Sequence, residues 1–151
     1  MPCVSQEDPF DLIRFVEAQA KDYKRALAEL QAGKKQTHWI WYVLPQLRGL
    51  GSSSRAIYYG IRSMHEAAAY LAHPILGPRL RECVATTNSL GDRSAVQILG
   101  EVDATKFWSC LTLFCAVDPK DPAFREALDK FFAGASCKRS LNLMDLLRHE
   151  A

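Results

Sequence analysis

Helix-start signals recur along this chain and divide it into short segments. Asp8-Pro9 and Asp121-Pro122 each place a preferred N-cap residue before a proline, which is tolerated in a first helical turn. Ser63 followed by Glu66 matches the capping box, in which two side chains satisfy each other's backbone donors. Asp103 is a further expected N-cap, and glycines punctuate the intervening segments. These signals predict helices joined by short turns.

Apolar residues recur at three- and four-residue steps between these signals. Such residues from Phe10 to Leu30 form one stripe, on either one long helix or two helices joined near residues 20–22. No alternating apolar and polar run of comparable quality competes with the helical spacing. The pattern therefore predicts an all-α fold, a compact single-domain multihelical bundle of about eight helices. Among them we expect one helix from Pro78 to Asn88 and a last, short helix from Ser140 to Leu147.

The length and composition fit one globular domain. A chain of 151 residues with 48% hydrophobic and 24% charged residues is neither disordered nor long enough to require a second core. We expect an N-terminal tail over 1–7, a helical domain over 8–147 and a C-terminal tail over 148–151. A net charge of +2 is too small to favour nucleic acid as a partner.

The chain lacks the sequence features of targeting and of metal sites. Without a signal peptide or an apolar run of about 20 residues, it is expected to be cytoplasmic and to have no membrane partner. Its four histidines are dispersed, so neither a metal nor another cofactor is expected. An odd number of scattered cysteines predicts reduced thiols with neither a structural disulfide nor a catalytic role; they are Cys3, Cys83, Cys110, Cys115 and Cys137.

The densest cluster of aromatic and polar side chains, which we call the aromatic block, lies between residues 37 and 46. It contains two of the three tryptophans, and a glycine-rich turn follows it. Large aromatic side chains beside hydrogen-bonding groups suit a wall that stacks a flat ligand. Because buried aromatic residues usually serve packing first, a core helix is the competing interpretation. The candidate ligand-binding residues here are Trp39, Trp41, Tyr42, Gln46, Gly49 and Gly51.

Polar residues elsewhere complete the candidate site. Glu17 and His38 are the predicted catalytic residues, because a carboxylate buried beside a histidine can exchange a proton near neutral pH. The competing interpretations are a surface carboxylate and a histidine that hydrogen-bonds locally. Lys106 could neutralise a ligand's phosphate or carboxylate, or form a salt bridge with Asp103. The remaining predicted ligand-binding residues are Gln19 and Ser109.

The order of these segments resembles domain-of-unknown-function family 1810. The similarity is carried by Asp8-Pro9-Phe10, residues 14–19, Gly33-Lys34-Lys35, residues 38–46 and residues 73–80, and it extends from about Asp8 to Leu147. The resemblance implies a compact multihelical protein of a kind found widely in bacteria, without an established common activity. Some members bear the label calpastatin, but this chain has no inhibitor-repeat pattern to support it.

One segment departs from the family pattern. Residues 106–110 read Lys-Phe-Trp-Ser-Cys, where the family has a small serine-rich pair followed by methionine. Cys110 and Leu111 keep the size and apolar character that packing needs. The departure puts in doubt any role for a hydroxyl at residue 110.

Two hypotheses about function follow. The first is a small-molecule enzyme, such as a hydrolase acting on a nucleoside, nucleotide or ADP-ribose derivative. In this hypothesis Trp39 or Trp41 stacks the ring, Lys106 holds an anionic group, and Glu17 or His38 moves a proton. The alternative is a noncatalytic helical module that binds a metabolite or peptide with the same aromatic residues.

Overall fold

The computed structural model describes residues 8–150, with side chains through Arg148, and this part of the chain is helical. No β-strand occurs in it, and an isolated parallel bridge joins Leu47 to Ile61. The all-α prediction is confirmed. The helices are α1 (Ile13–Gln31), α2 (Ile40–Val43), α3 (Ser54–Tyr59), α4 (Met64–Ala72), α5 (Leu76–Asn88), α6 (Ala95–Leu99), α7 (Glu101–Val117), α8 (Pro122–Phe132) and α9 (Lys138–Glu150).

Helix α7 is the centre of the bundle. Seven consecutive residues, Ser109 to Cys115, are buried, so this part of the helix is enclosed on all sides. It packs against α2, α4, α6, α8 and α9, while α5 packs against α1, α4 and α8. None of the helices within residues 8–150 combines the length and apolar character needed to cross a membrane.

The first helix begins later than its sequence signal. The N-cap residue of α1 is Leu12 and not Asp8, although the Asp8 carboxylate accepts hydrogen bonds from the backbone N–H groups of Leu12 (2.7 Å) and Ile13 (2.9 Å). Asp11, however, has a left-handed φ of +55°, which interrupts the helical backbone. The segment after Pro9 is therefore a separate turn. From Ile13 onward α1 is one continuous helix to Gln31.

At two of the predicted helix starts the observed capping differs from the predicted one. Ser63 accepts a hydrogen bond from the Glu66 N–H at 3.0 Å, but the Glu66 carboxylate accepts from the Arg62 N–H instead of completing the capping box. Asp103 lies in the first turn of α7, whose N-cap is Gly100. By contrast, Asp121 caps α8 as predicted.

Three further boundaries differ from the sequence pattern. Helix α5 begins at Leu76, before Pro78, because the His73 Nδ1 accepts hydrogen bonds from the N–H groups of Ile75 (3.0 Å) and Leu76 (3.3 Å). Helix α3, over 54–59, was not predicted. Helix α9 starts two residues before Ser140 and continues to residue 150, past the expected end at residue 147.

The described cysteines are free and buried. They are Cys83, Cys110, Cys115 and Cys137, and Cys3 lies outside the described residues. Burial raises the pKa of the Cys83 thiol to about 12, and it raises the pKa of the Cys110 thiol well above its ordinary value. These two thiols therefore remain protonated at neutral pH.

A buried arginine ties α1 to two later segments. The Arg14 guanidinium pairs with the Glu66 carboxylate of α4 at 2.6 Å, and both side chains are almost fully buried. Arg14 also donates to the carbonyl oxygens of Tyr58 (2.9 Å) and Gly60 (3.3 Å). Two carbonyls of the turn before α1 accept its remaining hydrogen bonds. Pairing and hydrogen bonding together make the buried charge tolerable.

Gly60 lies where the chain after α3 passes close to the segment after Pro45. The Ile61 N–H donates to the Gln46 carbonyl (3.0 Å), and the Arg48 N–H donates to the Ile61 carbonyl (2.8 Å). A Cβ added at Gly60 would lie 2.6 Å from the Arg48 Cα. The missing side chain is what permits these two backbone hydrogen bonds.

Glu29, near the end of α1, organises the loop that leads into the aromatic block. Its carboxylate accepts hydrogen bonds from the N–H groups of Gln36 (2.7 Å) and Thr37 (3.0 Å), the Thr37 hydroxyl (2.6 Å) and the Trp39 indole (2.9 Å). Burial alone would raise the pKa of Glu29, but these hydrogen bonds outweigh it and lower the pKa to about 2.

The Gly60→Ala substitution is expected to lower the free energy of unfolding by about 1 to 3 kcal/mol, because the added methyl group forces two backbone segments apart. Chemical denaturation measures the loss. Ser52→Ala is the control, since Ser52 is an exposed residue of the loop before α3 and its hydroxyl makes no hydrogen bond within residues 8–148. Equal losses in the two variants would contradict the close-approach argument.

The Glu29→Gln substitution is expected to cost about 1.5 to 3 kcal/mol of unfolding free energy at neutral pH, the range for hydrogen bonds to charged groups. The folded pKa of Glu29 lies below its ordinary value of 4.5, so its stabilisation is complete above about pH 4.5. That stabilisation is lost as the pH falls from 4.5 towards 2. Denaturation curves at several pH values should therefore show the wild type and the variant converging in acid.

Glu126→Gln is the matched control, since Glu126 is an exposed carboxylate on α8. Its difference from the wild type should be small at every pH. A Glu29→Gln penalty that stayed constant from pH 7 to pH 3 would show that the ionised carboxylate is not what stabilises the loop.

Candidate functional site

The predicted site residues are divided mainly between two clefts. The first, which we call the α1–α3 cleft, has a volume of about 720 Å³ and lies between α1, α2 and α3. The second, the Lys106 cleft, has a volume of about 290 Å³ and lies between the 46–51 segment, α7 and the start of α9. The Lys106 cleft is lined by Gln46, Leu50, Gly51, Val102, Thr105, Lys106, Ser109, Cys137 and Arg139.

The α1–α3 cleft brings together the two predicted catalytic residues. Glu17 and His38 both line it, as does Tyr42. Both predicted catalytic side chains are exposed, so Glu17 lacks the burial on which the acid–base hypothesis depended. Within residues 8–148, neither the Glu17 nor the His38 side chain forms a hydrogen bond or an ion pair, although the His38 carbonyl accepts a hydrogen bond from the Tyr42 hydroxyl at 3.3 Å.

Tyr42 belongs to the aromatic wall of the α1–α3 cleft. Its ring centroid lies 5.0 Å from that of Tyr59, and its hydroxyl donates to the Asp22 carboxylate. Burial, followed by the hydrogen bond to Asp22, raises the pKa of Tyr42 well above its ordinary value. Tyr42 is therefore a neutral hydrogen-bond donor that is already occupied by a protein acceptor.

Two predicted ligand-binding residues lie inside the bundle, away from both clefts. Trp39 is fully buried, and its indole N–H is bound by Glu29. Gln19 is also buried, and its amide donates to the Tyr42 carbonyl (2.6 Å) and the Tyr70 hydroxyl (3.1 Å). For Trp39 the geometry matches the packing interpretation, while Gln19 fixes α2 against α1.

Trp41 lies where the two clefts approach each other. The Arg55 guanidinium, in the α1–α3 cleft, and the Lys106 ammonium each lie 5.1 Å from the centroid of the Trp41 ring. Trp41, Gln46, Tyr59 and Lys106 also line a small cavity of about 10 Å³. The indole Nε1 is buried and has no hydrogen-bond partner within the described part of the chain. Trp41 therefore holds cations of both clefts.

The Lys106 cleft contains four of the predicted ligand-binding residues. Gln46 and Gly51 come from the turn after Pro45, and Lys106 and Ser109 lie about one turn apart on α7. A Cβ at Gly51 would lie 2.8 Å from the Ala56 Cβ, so this glycine lets the turn approach α3. Gly49 lies outside the cleft and faces Leu143 of α9.

The charge of the Lys106 cleft is positive. Lys106 and Arg139 line it, and none of its lining residues in the described part of the chain carries a carboxylate. The predicted pairing of Lys106 with Asp103 is present at 3.6 Å, but Asp103 also holds Lys35 at 2.8 Å. Arg139 donates to the Leu50 carbonyl at 3.3 Å. Two cations in a concave surface create a positive potential that attracts an anion.

Cys137 lines the same cleft and was not predicted to be functional. Its carbonyl accepts the Leu141 N–H at 3.0 Å, so Cys137 occupies the N-cap position of α9. Its sulfur lies 3.6 Å from the Ser109 hydroxyl. Burial alone would raise the pKa of Cys137, but the neighbouring polar groups of Ser140, Ser109 and the Arg139 backbone lower it below its ordinary value.

Cys137 was missed as a functional residue because the predicted start of the last helix was two residues too late. With the last helix starting at Ser140, Cys137 falls in the preceding loop. With the start at Lys138, the same residue becomes an N-cap whose side chain faces the free N–H groups of the first turn. A cysteine immediately before a helix with Lys138 and Arg139 in its first turn is the sequence signal for a stabilised thiolate.

Comparison with known proteins identifies the family. The model of a protein family of unknown function, DUF1810, matches residues 9–144. The chain is also similar to the conserved hypothetical protein Rv1873 from Mycobacterium tuberculosis, with a TM-score of 0.90 and 47% identity to its crystal structure over 91% of this chain and 99% of that one. No match was found among curated proteins. The chain thus belongs to the DUF1810 family.

Proposed function

We propose that the protein binds a small anionic metabolite, of the phosphorylated or nucleotide-like class, in the Lys106 cleft. The observation that carries the proposal is that polar and charged side chains from different segments converge on one cleft. Gln46, Lys106, Ser109 and Arg139 come from three separate segments of the chain and line one concave surface. Convergent polar groups in a cleft with an apolar rim are typical of small-molecule sites.

The distribution of charge supports an anionic ligand. A phosphate or carboxylate between Lys106 and Arg139 would replace water with two cationic donors, and charge-assisted hydrogen bonds are the strong ones. Trp41 beside Lys106 holds the ammonium by cation–π attraction without neutralising it. The cleft therefore presents charge that the protein itself compensates only in part.

The remaining lining residues support a ligand with a polar body. The Gln46 amide and the Ser109 hydroxyl offer donors and acceptors, while Leu50 and Val102 provide apolar contact. A volume of about 290 Å³ is at the lower end of the range for ligand pockets, which favours a sugar phosphate or one part of a nucleotide.

Binding has better support than the hydrolase hypothesis. Glu17 and His38, to which proton transfer was assigned, line the α1–α3 cleft, whereas Lys106 lines the other one. A ligand anchored at Lys106 therefore does not lie beside the two groups that were expected to move its proton. The noncatalytic alternative needs only the cations and the polar groups that share the Lys106 cleft.

Titration calorimetry with inorganic phosphate, AMP and ADP-ribose tests the proposal. Lys106→Gln and Arg139→Gln should each weaken binding of the best ligand about tenfold or more, because each removes one charged donor worth about 1.5 to 3 kcal/mol. Affinity should also fall with added salt. Lys24→Gln and Arg148→Gln are matched controls, since both are exposed cations outside the cleft. Equal affinity in all four variants would refute the assignment.

The two tryptophans of the aromatic block should respond differently to replacement by leucine. Trp39→Leu should lower the free energy of unfolding by about 2 to 4 kcal/mol, because leucine leaves part of a fully buried position unfilled, with unchanged affinity per folded molecule. Trp41→Leu should weaken anion binding by about 0.5 to 2 kcal/mol through loss of its hold on Lys106. Thermal unfolding and calorimetry on both variants measure the two effects. Unchanged affinity in Trp41→Leu would exclude Trp41 from the site.

A further inference from the structure

We propose that Cys137 is a nucleophilic thiol of the Lys106 cleft that forms a mixed disulfide with an anionic low-molecular-weight disulfide. The inference rests on the proposed function, because the cations that would bind a metabolite would also bring this reactant to the sulfur. It adds a covalent modification site to a cleft whose other residues only bind.

The position of Cys137 is the first observation. It lines the Lys106 cleft together with Lys106 and Arg139, so a molecule held by the two cations lies beside the sulfur. The side chain is mostly buried, with the whole residue 5% exposed. A reactant therefore reaches the sulfur through the cleft, and the positive charge of the cleft favours anionic reactants over cationic ones.

An unsatisfied hydroxyl beside the sulfur is the second observation. Ser140 is fully buried, and its Oγ has no hydrogen-bond partner of normal geometry in the described part of the chain. Ser140 lies three residues after Cys137 on the first turn of α9 and is among the polar groups that lower the pKa of the Cys137 thiol, yet no hydrogen bond of normal geometry joins the two side chains. A thiolate is a much better acceptor than a thiol, so ionised Cys137 would give the Ser140 hydroxyl the partner that it lacks.

Other donors around the sulfur also lower the pKa of the Cys137 thiol. The N–H groups of Arg139 and Ser140, in the first turn of α9, lie at the positive end of the helix dipole. The Cys137 N–H itself donates to the Thr112 hydroxyl at 3.0 Å, which fixes the residue against α7. The environment is thus arranged for a negatively charged sulfur in a fixed position.

The contrast with two other cysteines shows that the environment of Cys137 is specific. Burial raises the pKa values of Cys83 and Cys110, and neither residue lines the Lys106 cleft. Cys115 is buried within α7 and lies outside the cleft as well. These three thiols are therefore internal controls for the reactivity of Cys137.

The exchange conserves atoms and electrons. Cys137 loses its proton to solvent, and the thiolate attacks one sulfur of the disulfide. A bond forms between the Cys137 Sγ and that sulfur as the original S–S bond breaks. The second half of the disulfide leaves as a thiolate and takes up a proton. Cys137 is oxidised to the mixed disulfide, and the leaving thiol is the reduced product.

Three probes applied to the folded protein separate charge selection from thiol reactivity. Iodoacetamide is neutral, glutathione disulfide is anionic, and cystamine is cationic. Peptide mass spectrometry should show that iodoacetamide labels Cys137 at least about tenfold faster than Cys83, Cys110 or Cys115, because thiolate character and access both favour it. Glutathione disulfide should react several-fold faster than cystamine at low salt, and the difference should shrink as salt is added.

Variants give the mechanism a further test. In Lys106→Gln and Arg139→Gln the ratio of the glutathione disulfide rate to the cystamine rate should fall several-fold, whereas Lys24→Gln should keep the wild-type ratio. Using the ratio cancels any change in the intrinsic reactivity of the thiol. Ser140→Ala should move the midpoint of the iodoacetamide pH–rate profile to higher pH, a result that a purely structural serine would not produce.

The outcomes distinguish this inference from the proposed function. If iodoacetamide fails to label Cys137 while phosphate or nucleotide binding still depends on Lys106, the inference is overturned and the anion site stands. If Cys137 reacts readily but at equal rates with both disulfides, and no anion binds in calorimetry, both proposals are overturned. Fast labelling with the anionic preference, lost in Lys106→Gln, supports both.

Discussion

The buried ion pair between Arg14 and Glu66 is the interaction on which both clefts depend. Through it, and through the carbonyls of Tyr58 and Gly60, Arg14 holds the end of α3 and the start of α4 against α1. The residue after Gly60 then makes the backbone bridge that positions Gln46. Removing one partner would leave an uncompensated buried charge, which typically costs about 3 to 5 kcal/mol. The same pair therefore shapes the wall of the α1–α3 cleft and, one step further, that of the Lys106 cleft.

Helix α2 explains why one aromatic block serves three purposes. Trp39 is the N-cap residue of α2, with a non-helical φ of −139°, and its side chain enters the core, where Glu29 binds the indole. The four-residue helix that follows turns successive side chains in different directions, so Trp41 faces the cations and Tyr42 faces the α1–α3 cleft. Pro45 prevents the helix from continuing, and the chain then turns toward the Lys106 cleft. Stacking and packing were competing interpretations of the whole block, yet its residues divide between core and surface.

The fold class could be predicted from the sequence, because helix capping, as by Asp121, and the spacing of apolar residues depend on residues only a few positions apart. Prediction failed where contacts between distant residues determine a side chain's position. The Glu66 carboxylate pairs with Arg14 and accepts the Arg62 N–H, and it does not complete a capping box. In the site, polarity alone selected Gln46, Lys106 and Ser109. It could not show that these three residues share a cleft, or that Glu17 stays exposed in another, because both facts depend on how the helices pack.

The buried middle of α7 also decides which residues of this helix can reach the cleft. Cys110 is fully buried in the core, so its side chain contributes to packing and not to the chemistry of the cleft. The hydroxyl that faces the cleft belongs to the preceding residue, Ser109, which also contacts Cys137. One cation comes from α7 and the other from α9, and these helices pack directly against each other. The spacing of Lys106 and Arg139 is therefore set by core packing behind the cleft, and under the proposed function the same packing would determine which anion fits between them.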